Sequence, residues 1–421
     1  MNSNPENEVQ VSIKKHENGI RHIHRHVNGT KIVHCAIMFD IGSRDEADNE
    51  VGLAHMWEHM AFKGTAKRSA YQVLTCLDSL GGELNAFTTK EKICFHASVL
   101  DIHFEKAADI LVDIAFHSVF PDKELEKEKK VVLEEISMYL DSPDDAIQDE
   151  FDAYLFPNHP MGNNILGTIE SVNSFTQQHF QDFIARNMST ERVVFASIGN
   201  VPSNKAQQIV KKKLNTVSHK FSDFSRNPIG TILAKPYTIT KTIQQAHCML
   251  GNQALSVHHS DKYKLMLLNN ILGGPASNSL LYLSLREKHG YVYSVESNYN
   301  AFTDIGAVQV YFATEKKQVE KCLALVRKEM QRLDEMVTKG TKLEAYKQQI
   351  KGQLAMSEEN NQGYMLMMAR SLLDMGKVEN IESVFEEVDA TTSEELIDLR
   401  QKYFNPDSMI SLTFLPEQGK R

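Results

Sequence analysis

The sequence predicts an α+β fold composed of two homologous halves, and three observations support that prediction. The chain has 421 residues, 42% of them hydrophobic, which is enough for at least two domains with substantial cores. Both helical and strand-like periodicities occur along it. Three short echoes recur in the same order at offsets of 212 to 216 residues: 33–35 at 246–248, 169–172 at 381–384, and 193–196 at 409–412. We therefore expect a duplicated domain of about half the chain.

The expected boundary between the halves is a stretch in which Ser, Asn, Pro and Gly cluster and periodicity fades. We predict a first half at 1–215, a linker at 216–240 and a second half at 241–421. The segment 265–274, which should match the most distinctive helix of the first half, contains no histidine and no acid. The second half is thus expected to keep the fold and to lack a metal.

Composition excludes several classes of protein. A formal net charge of −9 disfavours a general binder of nucleic acid or of anionic membranes. No run approaches ~18 consecutive apolar residues, and the polar segment 1–8 lacks the apolar core of a signal peptide. Five widely spaced cysteines without a C-x-x-C pair indicate neither a disulfide framework nor a cysteine zinc site. We expect a cytoplasmic protein with no membrane-spanning segment.

The elements of the first half follow from periodicity and from breaker residues. A buried strand at 32–41 is ended by Gly42 and Ser43, and a later helix begins with Ser69 as N-cap and stops at Gly81. The remaining predictions are strands at 83–89 and 92–100, a long helical region at 102–154, a helix at 176–187 and a strand at 192–198.

The stretch 52–65 resembles a buried apolar helix but contains the pattern H-x-x-E-H. At about 100° per residue, His55, Glu58 and His59 share one helix face. A lone histidine on an apolar helix is usually an ordinary core or surface residue. Burial of two imidazoles and a carboxylate together would cost several kcal/mol without compensation, so that explanation does not suit this cluster. Neutral imidazole is a favoured zinc ligand, and a carboxylate beside a metal-activated water can take its proton. The motif therefore predicts a hydrolytic zinc site.

A tetrahedral zinc site with two histidines needs a further protein ligand, and the helix predicted over 124–139 supplies candidates. Counting about 100° per residue, Glu128 and Glu135 flank the buried side, whereas Glu134 faces water. Glu135 as ligand and Glu128 as its supporting acid is the economical assignment. The alternative is that both are ordinary surface glutamates. The apolar stripe used for this count is Leu125, Val132, Ile136 and Tyr139.

These features are similar to the pitrilysin or insulinase family of zinc peptidases, which includes mitochondrial processing peptidases and small bacterial peptidases. The match rests on the H-x-x-E-H motif, on 62–65 directly after it, and on an acid 76 residues beyond the second histidine. The resemblance implies that His55, His59 and Glu135 hold one Zn²⁺ per chain. It also implies that Glu58 is the general base and that Glu128 is a supporting glutamate.

Two other segments resemble substrate-contacting parts of that family. The segment 81–88 is similar to the active-site edge strand, in which Leu84, Asn85 and Ala86 would pair with an extended peptide. For Asn85 a simple turn role is the alternative. The segment 285–294 is similar to the one whose Arg and Tyr reach the reacting carbonyl, which here implies Arg286 and Tyr293 as oxyanion stabilisers.

The resemblance also implies a fold and an activity. Each half would be a mixed, largely antiparallel sheet covered by helices, the chain would form a half-clamshell, and two chains would form a homodimer around a chamber for peptides. The implied activity is that of a zinc-dependent endopeptidase acting on peptides or unfolded polypeptide segments. Two alternatives are a non-catalytic assembly subunit of the same fold and a small-molecule lyase with a catalytic cysteine.

A Met-rich segment at 364–368 has two interpretations. It could form an adaptable wall for peptides, because methionine is flexible and polarisable. Methionines at helical spacing are more often part of a core, and we favour the core.

Overall fold

The computed structural model describes residues 11–417. Its strands are β1 (Val11–Lys15), β2 (Arg21–His26), β3 (Ile32–Phe39), β4 (Glu83–Thr88), β5 (Ile93–Leu100), β6 (Val193–Gly199), β7 (Pro236–Lys241), β8 (Ala246–Ala254), β9 (Val292–Ala301), β10 (Gly306–Thr314) and β11 (Ile410–Pro416). Its α-helices are α1 (Leu53–Ala61), α2 (Ala70–Asp78), α3 (Phe104–Phe116), α4 (Asp122–Asp141), α5 (Pro143–Leu155), α6 (Ile169–Ser174), α7 (Gln177–Asn187), α8 (Ser203–Leu214), α9 (Lys262–Gly273), α10 (Val319–Thr338), α11 (Gly340–Glu358), α12 (Asn361–Met375), α13 (Ile381–Ala390) and α14 (Ser393–Tyr403).

The predicted elements of the first half are present, with shifted ends. Ser69 caps α2 as predicted, but the helix ends at Asp78 and leaves Gly81 as a turn residue with φ +69°. The region 102–154 is three helices because Pro121 and Pro143 interrupt it. Pro143 stands at the first position of α5, where the missing N–H costs nothing.

The chain divides into two compact units, and each is discontinuous. The first contains residues 11–136, 164–226 and 357–378, and the second contains 137–163, 227–356 and 379–417. Each unit thus includes a segment from the other half of the chain. The ranges 1–215 and 241–421 remain a prediction about the duplication itself.

The five strands of the second sheet follow the same order as the strands of the first sheet other than β1. The first runs β1-β2-β6-β3-β5-β4 and the second β7-β11-β8-β10-β9. In each sheet one pair is parallel, β2 with β6 and β7 with β11, and the other neighbours are antiparallel. The predicted mixed, largely antiparallel sheets covered by helices are confirmed. The echoed segments at 33–35 and 246–248 lie in the equivalent strands β3 and β8.

The first sheet is buried on both faces, as the alternation of residues along β3 shows. Ile37 and Phe39 point into a core shared with α1 and α3, whereas Ala36 and Met38 pack in a second cluster with α12. Met365 and Met368 of α12 are fully buried there. The Met-rich segment is therefore part of a core, as favoured from the sequence.

The second unit has a comparable arrangement. Leu250 of β8 faces a core that includes α9 and α10, and Met249 faces a cluster with Ile147 and Phe151 of α5. Gly251 is required here, because a Cβ at that position would lie 2.8 Å from the Phe151 ring. The helix at the position of the metal motif is α9, in which Asn269 donates to the Ser297 carbonyl instead of presenting a metal ligand.

Among residues 11–417, no helix is both long enough and apolar enough to cross a membrane. The segment 1–8, on which part of the expected cytoplasmic location depends, lies outside the described residues.

Candidate metal centre

The metal motif lies on α1, and the start of that helix is fixed by its surroundings. Gly52, the N-cap, has φ +95°, a conformation that residues with a Cβ rarely adopt. A Cβ there would also lie 2.6 Å from the Cα of Gly167. The backbone N–H groups of Gly52 and Ala54 donate to the carboxylate of Glu46 at 2.9 and 2.7 Å. Glu46 therefore accepts backbone N–H groups at the start of the helix, a role that the N-cap residue Gly52 cannot fill because it has no side chain.

The opposite face of α1 anchors the helix in the first core. Trp57 is fully buried, with its ring centroid 5.4 Å from that of Phe39 and 6.3 Å from that of Phe183. This bulky residue within the motif packs into the core and takes no part in the cluster of ligands. The functional side of the helix is thereby held in one orientation.

Three side chains converge beside this helix. The Nε2 atoms of His55 and His59 are 3.2 Å apart, and Glu135 Oε2 lies 3.7 Å from the first and 3.4 Å from the second. Ligands about 2.1 Å from a tetrahedral zinc are separated from one another by roughly 3.4 Å. The donor atoms thus have the spacing that the ion requires. Within residues 11–417 this is the only such group of three or more His, Cys, Asp or Glu.

The protonation of the two imidazoles also suits a cation. Burial, followed by the charge of His59, lowers the pKa of His55 to about 4. Burial opposes protonation of His59, but hydrogen bonds to Glu128 and Glu135 outweigh it and raise its pKa to about 9. His55 Nδ1 is buried and has no hydrogen-bond partner among the described residues. A zinc ion between the Nε2 atoms would take the place of the proton that the raised pKa keeps on His59, so the residues fit a zinc ion.

Helix α4 supplies Glu135 and, two turns earlier, Glu128. Glu128 accepts a hydrogen bond from His59 Nδ1 at 3.0 Å and forms an ion pair with Lys63 at 2.6 Å. Metal-binding histidines commonly donate their other N–H to a carboxylate in this way, which fixes the ring orientation. Glu134, in contrast, is exposed.

One part of the helix count for α4 is wrong. Tyr139, which we assigned to the buried stripe, is 39% exposed. The first segment of the first unit ends at Ile136, which belongs to the first core, and Tyr139 lies beyond it.

Glu58 lies on the same side of α1 but outside the group of three. Thr88 Oγ1 donates to Glu58 Oε2 at 2.6 Å, and burial raises the pKa of this carboxyl above its ordinary value. A carboxyl with a raised pKa is better matched to proton transfer near neutral pH. Thr88 orients Glu58, and sequence reasoning did not identify that role.

Thr88 belongs to β4, the edge strand of the first sheet. Leu84, Asn85 and Ala86 pair with β5 on one side only, opposite Ala97, His96 and Phe95. Asn85 is exposed, and its Oδ1 accepts the N–H of Ala86 at 2.9 Å. Among the described strands none pairs with the other edge of β4, and such an edge can in principle pair with another extended chain.

Arg286 and Tyr293 are brought together in the second unit. Arg286 lies on the π-helical segment Tyr282–Lys288 and Tyr293 on β9, with the guanidinium carbon 5.4 Å from the Tyr293 ring centroid. Arg286 also donates to the hydroxyl of Tyr282 at 2.6 Å. Tyr293 is 84% exposed, so most of its side chain is open to solvent.

Sequence reasoning missed the roles of Glu46 and Lys63 as well as Thr88. For Glu46 a signal existed, since a helix that begins at glycine needs an acceptor from elsewhere. For Lys63 and Thr88 there was none, because their partners are distant in the sequence.

Comparison with protein families identifies the chain. Residues 21–169 match the family described as insulinase (peptidase family M16), and residues 174–350 match the peptidase M16 inactive domain. The chain belongs to peptidase family M16.

Relatives of this M16 chain extend over almost its full length. It is 33% identical over 402 residues to the uncharacterized zinc protease YmxG of Bacillus subtilis, and these residues cover 94% of this chain and 96% of the relative. It is 32% identical to the uncharacterized zinc protease ML0855 of Mycobacterium leprae over 92% of this chain and 88% of the relative. Family membership and these names support a zinc protease as the general class.

Solved structures match the M16 chain in fold. A peptidase M16 inactive domain from Pseudomonas fluorescens has a TM-score of 0.89 at 18% identity, covering 98% of this chain and 99% of that one. A protease from Helicobacter pylori has a TM-score of 0.88 at 18% identity, covering 97% and 99%.

Proposed function

We propose that this M16 chain is a zinc-dependent endopeptidase that hydrolyses peptides or unfolded polypeptide segments. The observation that carries the proposal is the convergence of the His55, His59 and Glu135 donor atoms at 3.2 to 3.7 Å, with Glu58 beside them. Zinc, when bound there, supplies a Lewis acid that polarises a carbonyl and lowers the pKa of water.

In the proposed reaction Glu58 is the general base. It accepts a proton from the attacking water and returns that proton to the leaving amine, while Thr88 holds its carboxylate in place. Glu128 keeps the His59 ring oriented, and Lys63 keeps Glu128 ionised. Each of these residues therefore has a separate task in binding or proton transfer.

Substrate contacts are proposed for two further groups. The backbone of Leu84, Asn85 and Ala86 would pair with an extended peptide, which gives affinity with little sequence preference. Arg286 and Tyr293 would donate to the carbonyl oxygen as it gains negative charge. Their packing against each other supports a joint role.

The test compares Glu58→Gln with Glu134→Gln, an exposed glutamate on α4. Cleavage of an internally quenched peptide is measured with and without a chelator, and zinc content is measured by atomic absorption. We expect one zinc per chain in both variants, loss of at least about 100-fold in kcat for Glu58→Gln, and no change for Glu134→Gln. Undiminished cleavage in Glu58→Gln contradicts the mechanism.

The alternative, a non-catalytic subunit of the same fold, predicts no cleavage by the wild-type protein under any metal condition. The complete set of three converging donors favours the enzyme. The lyase alternative requires a reactive thiol, yet burial raises the pKa of all five cysteines, with Cys248 at about 12.

We further propose a cytoplasmic homodimer, as the sequence resemblance implies. Sedimentation of the zinc-loaded protein should give roughly twice the 47.7 kDa mass of one chain. A monomer at micromolar concentration contradicts the homodimer and leaves the proposed chemistry intact.

A further inference from the structure

A cavity of about 370 Å³ lies in the second unit between α10 and the π-helical segment Tyr282–Lys288. It is separate from Arg286 and Tyr293, which do not line it. The lining residues are Leu283, Ser284, Lys288 and His289 from the first side and Leu325, Lys328, Glu329 and Arg332 from α10. The four from α10 are spaced i, i+3, i+4 and i+7, so they form one face of that helix.

The charge of this lining is unbalanced. Three cationic side chains, Lys288, Lys328 and Arg332, stand against the single carboxylate of Glu329. The Glu329 side chain is only 5% exposed and pairs with Arg332 at 3.1 Å, so these two charges compensate each other. Lys288 and Lys328 have no carboxylate partner among residues 11–417. The cavity is therefore locally positive in a chain whose formal net charge is −9.

Lys288 and Lys328 are both exposed, as lysines usually are, so what distinguishes them is that they line the same cavity. Lys288 is the last residue of its helical segment, where exposed carbonyl groups favour a cation. Lys328 is in the middle of α10, away from either end, so no such effect applies. Because both side chains line the same cavity and are exposed, both ammonium groups are accessible to an incoming anion.

We propose that this cavity binds a small oxyanion, a phosphate- or carboxylate-bearing molecule held by Lys288 and Lys328. Ammonium groups form charge-assisted hydrogen bonds with such oxygens, and these bonds are stronger than neutral ones. The cavity volume is within the range of small-molecule sites, and Leu283 and Leu325 provide an apolar wall for an organic part of the ligand. The proposal does not depend on peptidase activity.

The test uses full-length zinc-loaded protein and inorganic phosphate as the probe. Calorimetric titration is performed at constant ionic strength, with chloride as the balancing anion. The cavity variant is Lys288→Ala combined with Lys328→Ala. Its matched control is Lys321→Ala with Arg327→Ala, which removes the same charge from α10 outside the cavity lining.

We expect the Kd for phosphate to rise at least tenfold, about the loss of one charge-assisted hydrogen bond, in the cavity variant. The control should stay within about twofold of wild type. An equal effect of both double variants, or no phosphate binding by wild type, overturns the proposal. Phosphate bound elsewhere, including at the metal centre, would affect the two variants equally and so count against it.

A second arm distinguishes the source of the oxyanion. An acetylated and amidated tetraglutamate peptide is titrated into the Glu58→Gln protein, with and without phosphate. Competition between peptide and phosphate indicates that peptide carboxylates use the cavity. Phosphate binding without competition indicates a free phosphate-bearing ligand, and both results support the site.

Discussion

The hydrogen bond between Glu128 and His59 gives the sharpest prediction for the metal centre. In Glu128→Gln, the amide keeps an acceptor for His59 Nδ1 but carries no charge, and its NH₂ group would face the ammonium of Lys63. Both contacts of Glu128 are short, 3.0 and 2.6 Å, and the residue is buried, so water cannot replace them easily. The variant thus weakens the support of one ligand without removing any ligand.

The magnitude follows from two estimates that agree. A hydrogen bond to a charged group contributes about 1.5–3 kcal/mol. Loss of a carboxylate that supports a metal-binding histidine typically lowers metal affinity 10- to 100-fold, which corresponds to about 1.4–2.7 kcal/mol. We therefore expect the Kd for zinc to rise by 10- to 100-fold.

The assay is competition for zinc between the protein and a chromophoric chelator at fixed pH. Glu134→Gln is the matched control, because it makes the same chemical change on an exposed position of α4. We expect wild-type zinc affinity for Glu134→Gln. Equal zinc affinities for the two variants would refute the assigned role of Glu128.

Three further predictions concern stability and the second unit. Gly52→Ala should destabilise the protein by at least ~2 kcal/mol more than Gly81→Ala. Both alanines would have to adopt a positive φ, but only the alanine at position 52 would clash with backbone atoms. Equal denaturation midpoints for the two variants contradict this. Burial, then nearby His24, lowers the pKa of His22, so stability is full above the unfolded pKa near 6.5 and falls below it. When the pH falls from 7 to 5, the free energy of unfolding measured in urea should therefore decrease by up to ~2 kcal/mol less in His22→Asn than in the wild-type protein. The same decrease in both proteins contradicts this. Tyr282→Phe should lower kcat about three- to tenfold with KM unchanged, because Arg286 loses its hydroxyl partner; wild-type kcat excludes that positioning role.

Much of the metal centre was predictable because its residues are linked by helical spacing. His55 and His59 are four residues apart, and Glu128 and Glu135 are seven apart. Because an α-helix turns by about 100° per residue, each pair must lie on one face of its helix. The same count failed at Tyr139, because the spacing along a helix does not tell where the underlying core ends. The roles of Thr88, Lys63 and Glu46 depend on distances in space that no local pattern encodes.

The placement of α5 and α12 was also beyond sequence reasoning. Their apolar stripes indicate that both helices pack on something, and they do not specify which sheet. A continuous division at 216–240 follows from loop composition, whereas the compact units depend on long-range packing. Arg286 and Tyr293 were assigned through family resemblance alone, since their own surroundings resemble an ordinary helix end and strand.

The late position of α12 has a consequence for synthesis of the protein. The helix begins 162 residues after β6 ends, yet it covers the face of the first sheet formed by Ile23, Met38, Val194 and Ile198. At a translation rate of about 5–20 residues per second, those strands wait roughly 8–32 s for their cover. During that interval the nascent sheet presents an apolar surface on the ribosome. If the first sheet forms early, its apolar face therefore stays uncovered until α12 emerges.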